Sequence, residues 1–455
     1  MNSIKAKHHP SLAVSIIFLI IIIGIISFFM IGLEAAPHIP ILIAIFILIG
    51  YGLWNKISYQ SLQNAMSLGA SSAMGAVFLF FIIGILISSW MISGTIPVLM
   101  VTGLSIISTT WFYAIVFAIT GIIGISLGSS LTTTATVGVA LMGMASAMDA
   151  SLAITAGAIV SGAFFGDKMS PLSDTTNLAS TIVGVDLFEH IKHISLTTIP
   201  AFMISFITFA ILSPSKSYAD NNIVQYQDAL HATGLIHWSS WIPIIILIIC
   251  TVFKLSAFLS LSISSVIASI LAIAVNKFSL SDIPGIWFGG YTGNSNFEPV
   301  NELITRGGLE SMFFTIALVL LALSFGGLLF VTGVLPTILE ALQARLKRTR
   351  SIIASTAFTA IGVNAFIGEQ YLSILLTGET FQQIYERAGL TRKALSRALE
   401  DAGTVINPLV PWSVCGVFIA DVLGVSVLTY LPFAFFCLLS PVITILFGAR
   451  TAKRQ

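Results

Sequence analysis

Long uninterrupted apolar runs restrict this chain more than any other feature. Ser11 to Leu33, Ile194 to Leu212, Met312 to Val334 and Ser426 to Phe447 each come close to the ~20 apolar residues that carry a helix across a hydrocarbon core. A transmembrane barrel would alternate in polarity over ~10-residue segments, whereas these runs are apolar on every face. Only 9% of the 455 residues are charged and 56% are hydrophobic, against roughly 25% charged in a soluble domain. No soluble fold hides that much apolar surface. The expected class is all-α and polytopic, with about 12–14 transmembrane segments.

The first run follows Lys5, Lys7, His8 and His9 and is too long for a signal peptide. Cys250, Cys415 and Cys437 show no motif spacing, so neither disulfides nor a metal cluster is indicated. A net charge of +1 gives no reason to expect nucleic acid. Hydropathy places spans near 11–33, 39–54, 69–91, 112–128, 131–148, 151–184, 194–213, 239–253, 256–275, 310–334, 351–368, 370–385, 393–424 and 426–448. The pairs 112–148 and 351–385 could each be two crossings or one re-entrant hairpin. With both termini cytoplasmic, sixteen basic residues, Arg397 among them, fall inside and three, Lys216, Lys277 and Arg306, fall outside, as the positive-inside rule demands.

Two stretches resemble each other, one from Ser93-Gly94-Thr95-Ile96-Pro97, the other from Thr332-Gly333-Val334-Leu335-Pro336. Ser170-Pro171-Leu172 answers to Asn407-Pro408-Leu409, and Gly184-Val185 to Gly424-Val425. In the hydropathy topology the copies run inverted, as in many secondary transporters. The expected division is 1–68, N-terminal transmembrane helices; 69–213, first inverted repeat; 214–309, connecting loops and two transmembrane helices; 310–448, second inverted repeat; and 449–455, a cytoplasmic tail.

The densest polar cluster in an apolar region runs from Gly162 to Ser180. Pro171 has no amide hydrogen, which is expected to free the carbonyl of Asp167 and break the helix; Pro408 and Pro411 would do the same for Thr404 and Asn407. Irregular backbone at membrane depth is tolerated only where it lines a cavity or is buried in protein. Asp167 and Asp174 are the leading candidates, because an intramembrane acid needs a cation, a proton or another partner. Hard oxygen donors suit Na+, here the two carboxylates with Ser170, Ser173, Thr175 and Asn177. Thr133, Asn364, Glu369 and Asn407 join them if the joints between spans reach the site. A static salt bridge between Lys168 and Asp167 is the competing reading. Asp401 and Asp421 rank lower, as end-of-helix charges, and the histidines are expected to be solvated.

The segment Gly166-Asp167-Lys168-Met169-Ser170-Pro171-Leu172-Ser173-Asp174-Thr175-Thr176 resembles the signature of the NhaC-type Na+/H+ antiporters, and Asn301 to Met312 looks like a second landmark of that family. The resemblance implies a multi-pass transporter of the bacterial inner membrane with inverted repeats and broken helices. It would exchange Na+ for H+ through shared carboxylates by alternating access, with no cofactor and no enzymatic activity. The partners so implied are Na+, H+ and membrane lipid, and a homodimer is compatible with it. The broader group also contains an exchanger of malate, protons, sodium and lactate. In that alternative Lys168, the only basic residue in the central motifs, is the candidate for holding the organic anion. An intramembrane aspartyl protease would need an aspartate facing Asp167 from another helix and a Tyr-Asp pair, which the chain lacks.

Overall fold

Lipid offers no hydrogen bonds, so a spanning segment must satisfy its own backbone, and the helix does this within one segment. In a computed structural model the chain is helical almost throughout. Residues 5–106, 109–213, 220–343 and 348–447 are described, and among them Tyr291 and Arg306 form an isolated antiparallel bridge. The basic residues Lys216, Arg345, Lys347, Arg450, Lys453 and Arg454 and the tail 449–455 lie outside the described residues.

Eight of the described helices are long and apolar enough to cross a membrane, or up to ten if each of two bent pairs is one span. Shorter apolar helices cover His38–Trp54, Thr95–Ile106, Phe112–Leu127 and Trp238–Val252. The expected span at 69–91 is two helices, Tyr59–Ser71 and Met74–Ile92. The segment expected at 370–385 is the helix Gln370–Arg387, whose Glu379, Glu386 and Arg387 keep it out of the apolar set. Three of the expected spans are broken, the first two where the prolines predict it. The first parts at Pro171 into Leu152–Met169 and Asp174–Val183. Arg392–Leu409 meets Val414–Leu423 at 47°, and Val427–Phe433 meets Phe435–Leu446 at 57°. Ile16, Ile17, Ile20 and Ile21 on the first helix face outward, while Ser130–Ala147 is buried almost throughout.

Small residues let the central helices approach closely. Phe112–Leu127 and Leu152–Met169 cross so tightly that a Cβ added to Gly166 would stand 2.5 Å from Gly124 Cα, and one on Gly162 would stand 2.0 Å from Thr120 Oγ1. This is packing by small residues spaced four apart, as between helices in lipid. The contact holds Asp167, the residue after Gly166, at the centre. Elsewhere the Thr305–Leu309 turn of the second landmark is wedged against the helix Met74–Ile92: Gly308 N–H donates to Gly84 O at 2.8 Å. Arg306 Nη1 donates to Val422 O at 3.0 Å, closing the C-terminal end of Val414–Leu423.

The repeat is legible in the backbone. Left-handed glycines close equivalent helices at Gly94 and Gly333 (φ 76° in both), Gly128 and Gly368 (64° and 75°), and Gly184 and Gly424 (66° and 70°). In both copies Ser173 or Ser413 caps the helix after the break. The last two glycine pairs and the serine pair are each separated by 240 positions. This offset corrects the pairing expected from the prolines: Pro171 corresponds to Pro411, and the counterpart of Asp167 is Asn407. The turn glycines are also wedged in equivalent ways, since a Cβ on Gly94 would meet Leu235 O at 1.9 Å and one on Gly333 would meet His8 O at 1.8 Å.

Gly166→Leu should prevent the close crossing, destabilising the protein by more than the ~1–3 kcal/mol of ordinary overpacking because backbone stands in the way. The check is thermal unfolding in detergent, with Gly75→Leu, where the added Cβ meets nothing within 4 Å, expected to stay near wild type.

Candidate functional site

The first break is built by local hydrogen bonds. Ser170 N–H donates back to Asp167 O at 3.1 Å, so the carbonyl expected to be freed by Pro171 is occupied. Asn407 O likewise accepts from Val410 N–H at 3.1 Å. Ser173 then starts the next helix by accepting from Thr176 N–H at 3.3 Å, a serine N-cap of the ordinary kind. Asn177 Nδ2 donates to Ser173 O at 2.7 Å and Pro171 O at 3.2 Å, bracing the break. Ser170 Oγ accepts from Leu172 N–H.

Asp167 sits on the last turn before the break and is buried. Ser130 Oγ donates to its Oδ2 at 2.8 Å, and the Ser173 hydroxyl stands beside the carboxylate. Ser173 and Thr175 share a hydroxyl contact of 3.0 Å. Asp167, Ser173, Thr175 and Ser130 therefore form one oxygen-rich group, hard donors of the kind alkali and alkaline-earth cations take. Among the described residues no group of three or more His, Cys, Asp and Glu side chains could hold a metal ion, so the donors here are mainly hydroxyls around one carboxylate. Ser130 lies in the Gly128–Thr136 run noted in the sequence, but Thr133, the residue singled out there, bonds to Ser129 O at 2.8 Å instead.

Asp174 begins the second half-helix and is exposed. It opens on a cavity of ≈ 330 Å³ that Leu131, Glu369, Gln370, Tyr371 and Val414 also line, so the turns after Gly128 and Gly368 converge there. Glu369 is buried and caps its own helix, accepting from Leu372 N–H at 2.7 Å. Gln370 Oε1 is buried without a partner among the described residues. Asn364 and Asn407 form a separate group: Asn407 Nδ2 donates to Asn364 Oδ1 at 2.8 Å, and Asn364 Nδ2 to Gly403 O at 2.6 Å.

Lys168 overturns two expectations. Successive helical residues point about 100° apart, and the lysine turns away from Asp167 to pair with Asp401, both side chains fully buried. Asp401 also accepts from Thr444 Oγ1 and, at 2.8 Å, from Thr197 Oγ1. Lys168 thus neither neutralises Asp167 nor stands free for an organic anion, and Asp401 is no end-of-helix charge but the centre of a buried network. Arg397, counted among the cytoplasmic charges, is buried in the same helix. The histidines are not all solvated either: His190 is buried in Leu187–Leu212 and bonds to Ser396 at 2.8 Å. Asp421 is near its expected role, at the end of Val414–Leu423 with Thr315 at 3.4 Å. The pair Glu400-Asp401 inside an otherwise apolar run was the available signal for this network.

Comparison with known proteins agrees with this architecture. Residues 162–450 match the Na+/H+ antiporter family. The chain is 40% identical to the Na(+)/H(+) antiporter NhaC of Alkalihalophilus pseudofirmus, over 95% of this chain and 94% of that one. It is 38% identical to the Na(+)/H(+) antiporter NhaC of Bacillus subtilis, over 98% and 99%. A third relative, the malate-2H(+)/Na(+)-lactate antiporter of Bacillus subtilis, is 31% identical over 96% and 94%.

Asp401→Asn should be strongly destabilising, by about 3–5 kcal/mol, because it leaves a buried ammonium without its counter-charge. Replacing both partners, Lys168→Met with Asp401→Leu, should cost clearly less. A double-mutant cycle on thermal or denaturant unfolding in detergent measures the difference, and equal losses in the single and double variants would reject a coupled pair.

Proposed function

The chain belongs to the Na+/H+ antiporter family, and from that premise we propose that it exchanges Na+ for H+ across the bacterial inner membrane by alternating access, with Asp167 and Asp174 holding the two cations in turn. The observation that carries this reading is the buried Asp167 carboxylate, set in hydroxyl groups at a helix break while the neighbouring lysine is committed to Asp401. The buried Lys168–Asp401 pair is formally neutral, so Asp167 and Asp174 remain as excess negative charge. An ionised carboxylate is costly to carry through the low-dielectric interior, and a proton or a sodium ion removes the same charge. Only the neutralised site should then cross cheaply between the two faces.

Asp174 faces the open cavity and is the residue through which a cation would enter; Asp167 is where it would be held. Glu369 lines the same cavity, with its carboxylate engaged as a helix cap. The relative that exchanges malate and lactate motivates a second reading, Na+- and H+-coupled exchange of small carboxylates. Since Lys168 is paired, the anion would have to rest on the half-helix start at Ser173; at Ser413 the amides of Val414, Cys415 and Gly416 are already taken by Gly368 O, Asn407 Oδ1 and Ser413 Oγ.

The deciding measurement uses proteoliposomes carrying an internal pH dye. Collapse of an imposed proton gradient on Na+ addition alone is expected, and a strict requirement for malate or lactate would favour the second reading. Asp174→Asn should insert and fold normally while losing exchange, since the isostere at this exposed position disturbs no packing but cannot bind the cation.

Shared oxygens also fix a sign. As pH falls, protonated sites are withdrawn from Na+, so the Na+ concentration for half-maximal exchange should rise, approaching about tenfold per pH unit for one competing proton. Saturating Na+ should restore the rate. A half-maximal concentration that stays constant while activity declines with pH would mean that protons act elsewhere, and the shared-carboxylate mechanism would be abandoned.

The inverted repeat and the cytoplasmic termini belong to the same proposal. They are supported by the bias of basic residues and by the matching order of turns. Cysteines introduced after Pro97 and after Pro336 should label from opposite sides of the membrane; labelling from one side would remove the inversion.

A further inference from the structure

Beside the Lys168–Asp401 pair lies an acid that the proposed ion site does not use. Glu400 is fully buried, and both of its carboxyl oxygens lack a hydrogen-bond partner among the described residues. The Thr404 hydroxyl, one turn on, stands beside it without reaching hydrogen-bond geometry. The other buried acids are held: Asp167 by Ser130, Glu369 by Leu372 N–H, and Asp401 by Lys168, Thr197 and Thr444. A buried carboxylate with no donor at either oxygen is far costlier than the neutral acid, so this position suits a carboxyl that carries a proton.

Two further observations bear on Glu400. It opens a π-type turn, Glu400–Thr404, a distortion often found at functional sites. It also lies within electrostatic reach of Lys168, Asp167 and Asp401.

We propose that Glu400 is a proton-binding carboxyl of the transport cycle, separate from the Asp167 and Asp174 oxygens that hold the cation. The proposal rests on the exchange reading above and adds to it a second place for a proton. With Asp167 ionised and empty, a proton on Glu400 keeps a second negative charge out of the same dry interior. When a cation neutralises Asp167, that repulsion is relieved, and Glu400 can release its proton to water on the side then open.

The surroundings fit this role. The helices packed around the Glu400–Thr404 turn bring Lys168 and Asp167 from Leu152–Met169, His190 and His193 from Leu187–Leu212, Asp174 from Asp174–Val183 and Cys437 from Phe435–Phe447. Gln370–Arg387 adds the buried Tyr385, and Arg397 lies one turn earlier on Glu400's own helix. Thr349–Ile367 adds a single titratable side chain, Arg350, exposed at its first turn. Along Leu187–Leu212, Thr197, His193 and His190 follow one another at spacings of four and three: Thr197 bonds to Asp401, His190 bonds to Ser396, and the next residue, Glu189, pairs with the exposed Lys393 at 2.7 Å. His190 Nε2 and His193 Nδ1 are buried without partners among the described residues, leaving nitrogens that can pass a proton along.

The test combines infrared difference spectroscopy on reconstituted protein titrated with acid, Na+-driven proton movement in the same vesicles, and binding of radioactive sodium. In wild type a carbonyl band of a protonated acid is expected. Glu400→Gln should remove that band and part of the Na+-driven proton movement, leaving the share carried by Asp167 and Asp174, while sodium binding persists. Glu400→Asp should shift the band and restore part of the movement, and its band decides the question if the glutamine variant fails to fold. An unchanged band in either variant, or undiminished proton movement in Glu400→Gln, overturns the proposal. If wild-type vesicles move no protons when Na+ is added, the exchange reading fails by itself. The infrared band, which needs no sodium, still decides whether Glu400 holds a proton.

Discussion

A lysine ammonium buried where water does not reach must find a counter-charge, and the pairing of Lys168 with Asp401 organises the centre of this protein. It fastens the end of one broken helix to the π-type turn of the other, so the two repeats are joined at the depth where each is least regular. Thr197 and Thr444 bring two further helices to the same aspartate. Buried ion pairs seldom add net stability compared with apolar packing, but breaking one is costly; the effect here is to allow only one arrangement of four segments. Because Lys168 is turned toward Asp401, Asp167 is turned toward Ser130 and the turn after Gly128. The orientation of the candidate cation ligand is thus a consequence of where its neighbour's charge is satisfied.

Backbone satisfaction sets the second constraint. A helix broken in a medium without water exposes amides and carbonyls, and both breaks here close with short local bonds and a serine cap, Ser173 in one and Ser413 in the other. The carbonyls of Asp167 and Asn407 are consequently engaged. Side-chain oxygens are therefore the principal donors in this state, which is why hydroxyls from a separate turn must be brought to Asp167.

What was legible in the sequence follows from range. The apolar runs, the breaks at Pro171 and Pro411, and the grouping of Asp167 with Ser173 and Thr175 are local properties of composition and proline chemistry, and they stand in the structure. Partners distant in the chain were not legible. Ser130 bonds across 37 residues and Lys168 across 233, and no local pattern selects Asp401 over Asp167 as the lysine's partner. His190 was misread because the helix begins at Leu187, earlier than hydropathy indicates, since polar residues in its first turns dilute the apolar signal. The repeat itself is visible through glycines and prolines, and Gly184 and Gly424 pair at the offset the backbone shows, whereas the proline landmark pairs three positions early because Asn407-Pro408 imitates Ser170-Pro171. Backbone turns, which cannot drift, correct it.

With the corrected offset the two copies differ in a way that explains where a cation could sit. Gly124 in the first copy corresponds to Asn364 in the second, and Asp167 to Asn407. Gly124 is required because Gly166 packs on it, with a hypothetical Cβ only 3.0 Å from Gly166 Cα, and Asp167 is the residue that follows this contact. In the second copy the equivalent position holds the Asn364 amide, which bonds to Asn407 and to the Gly403 carbonyl. An amide that already occupies both its neighbours leaves nothing for an ion to coordinate and no charge to neutralise. The second copy has instead moved its acid to the turn, where Glu369 takes the place of Ser129 and caps a helix beside the cavity. The same helix-break-helix frame thus presents a carboxylate among hydroxyls at this position in one copy and a filled amide pair in the other.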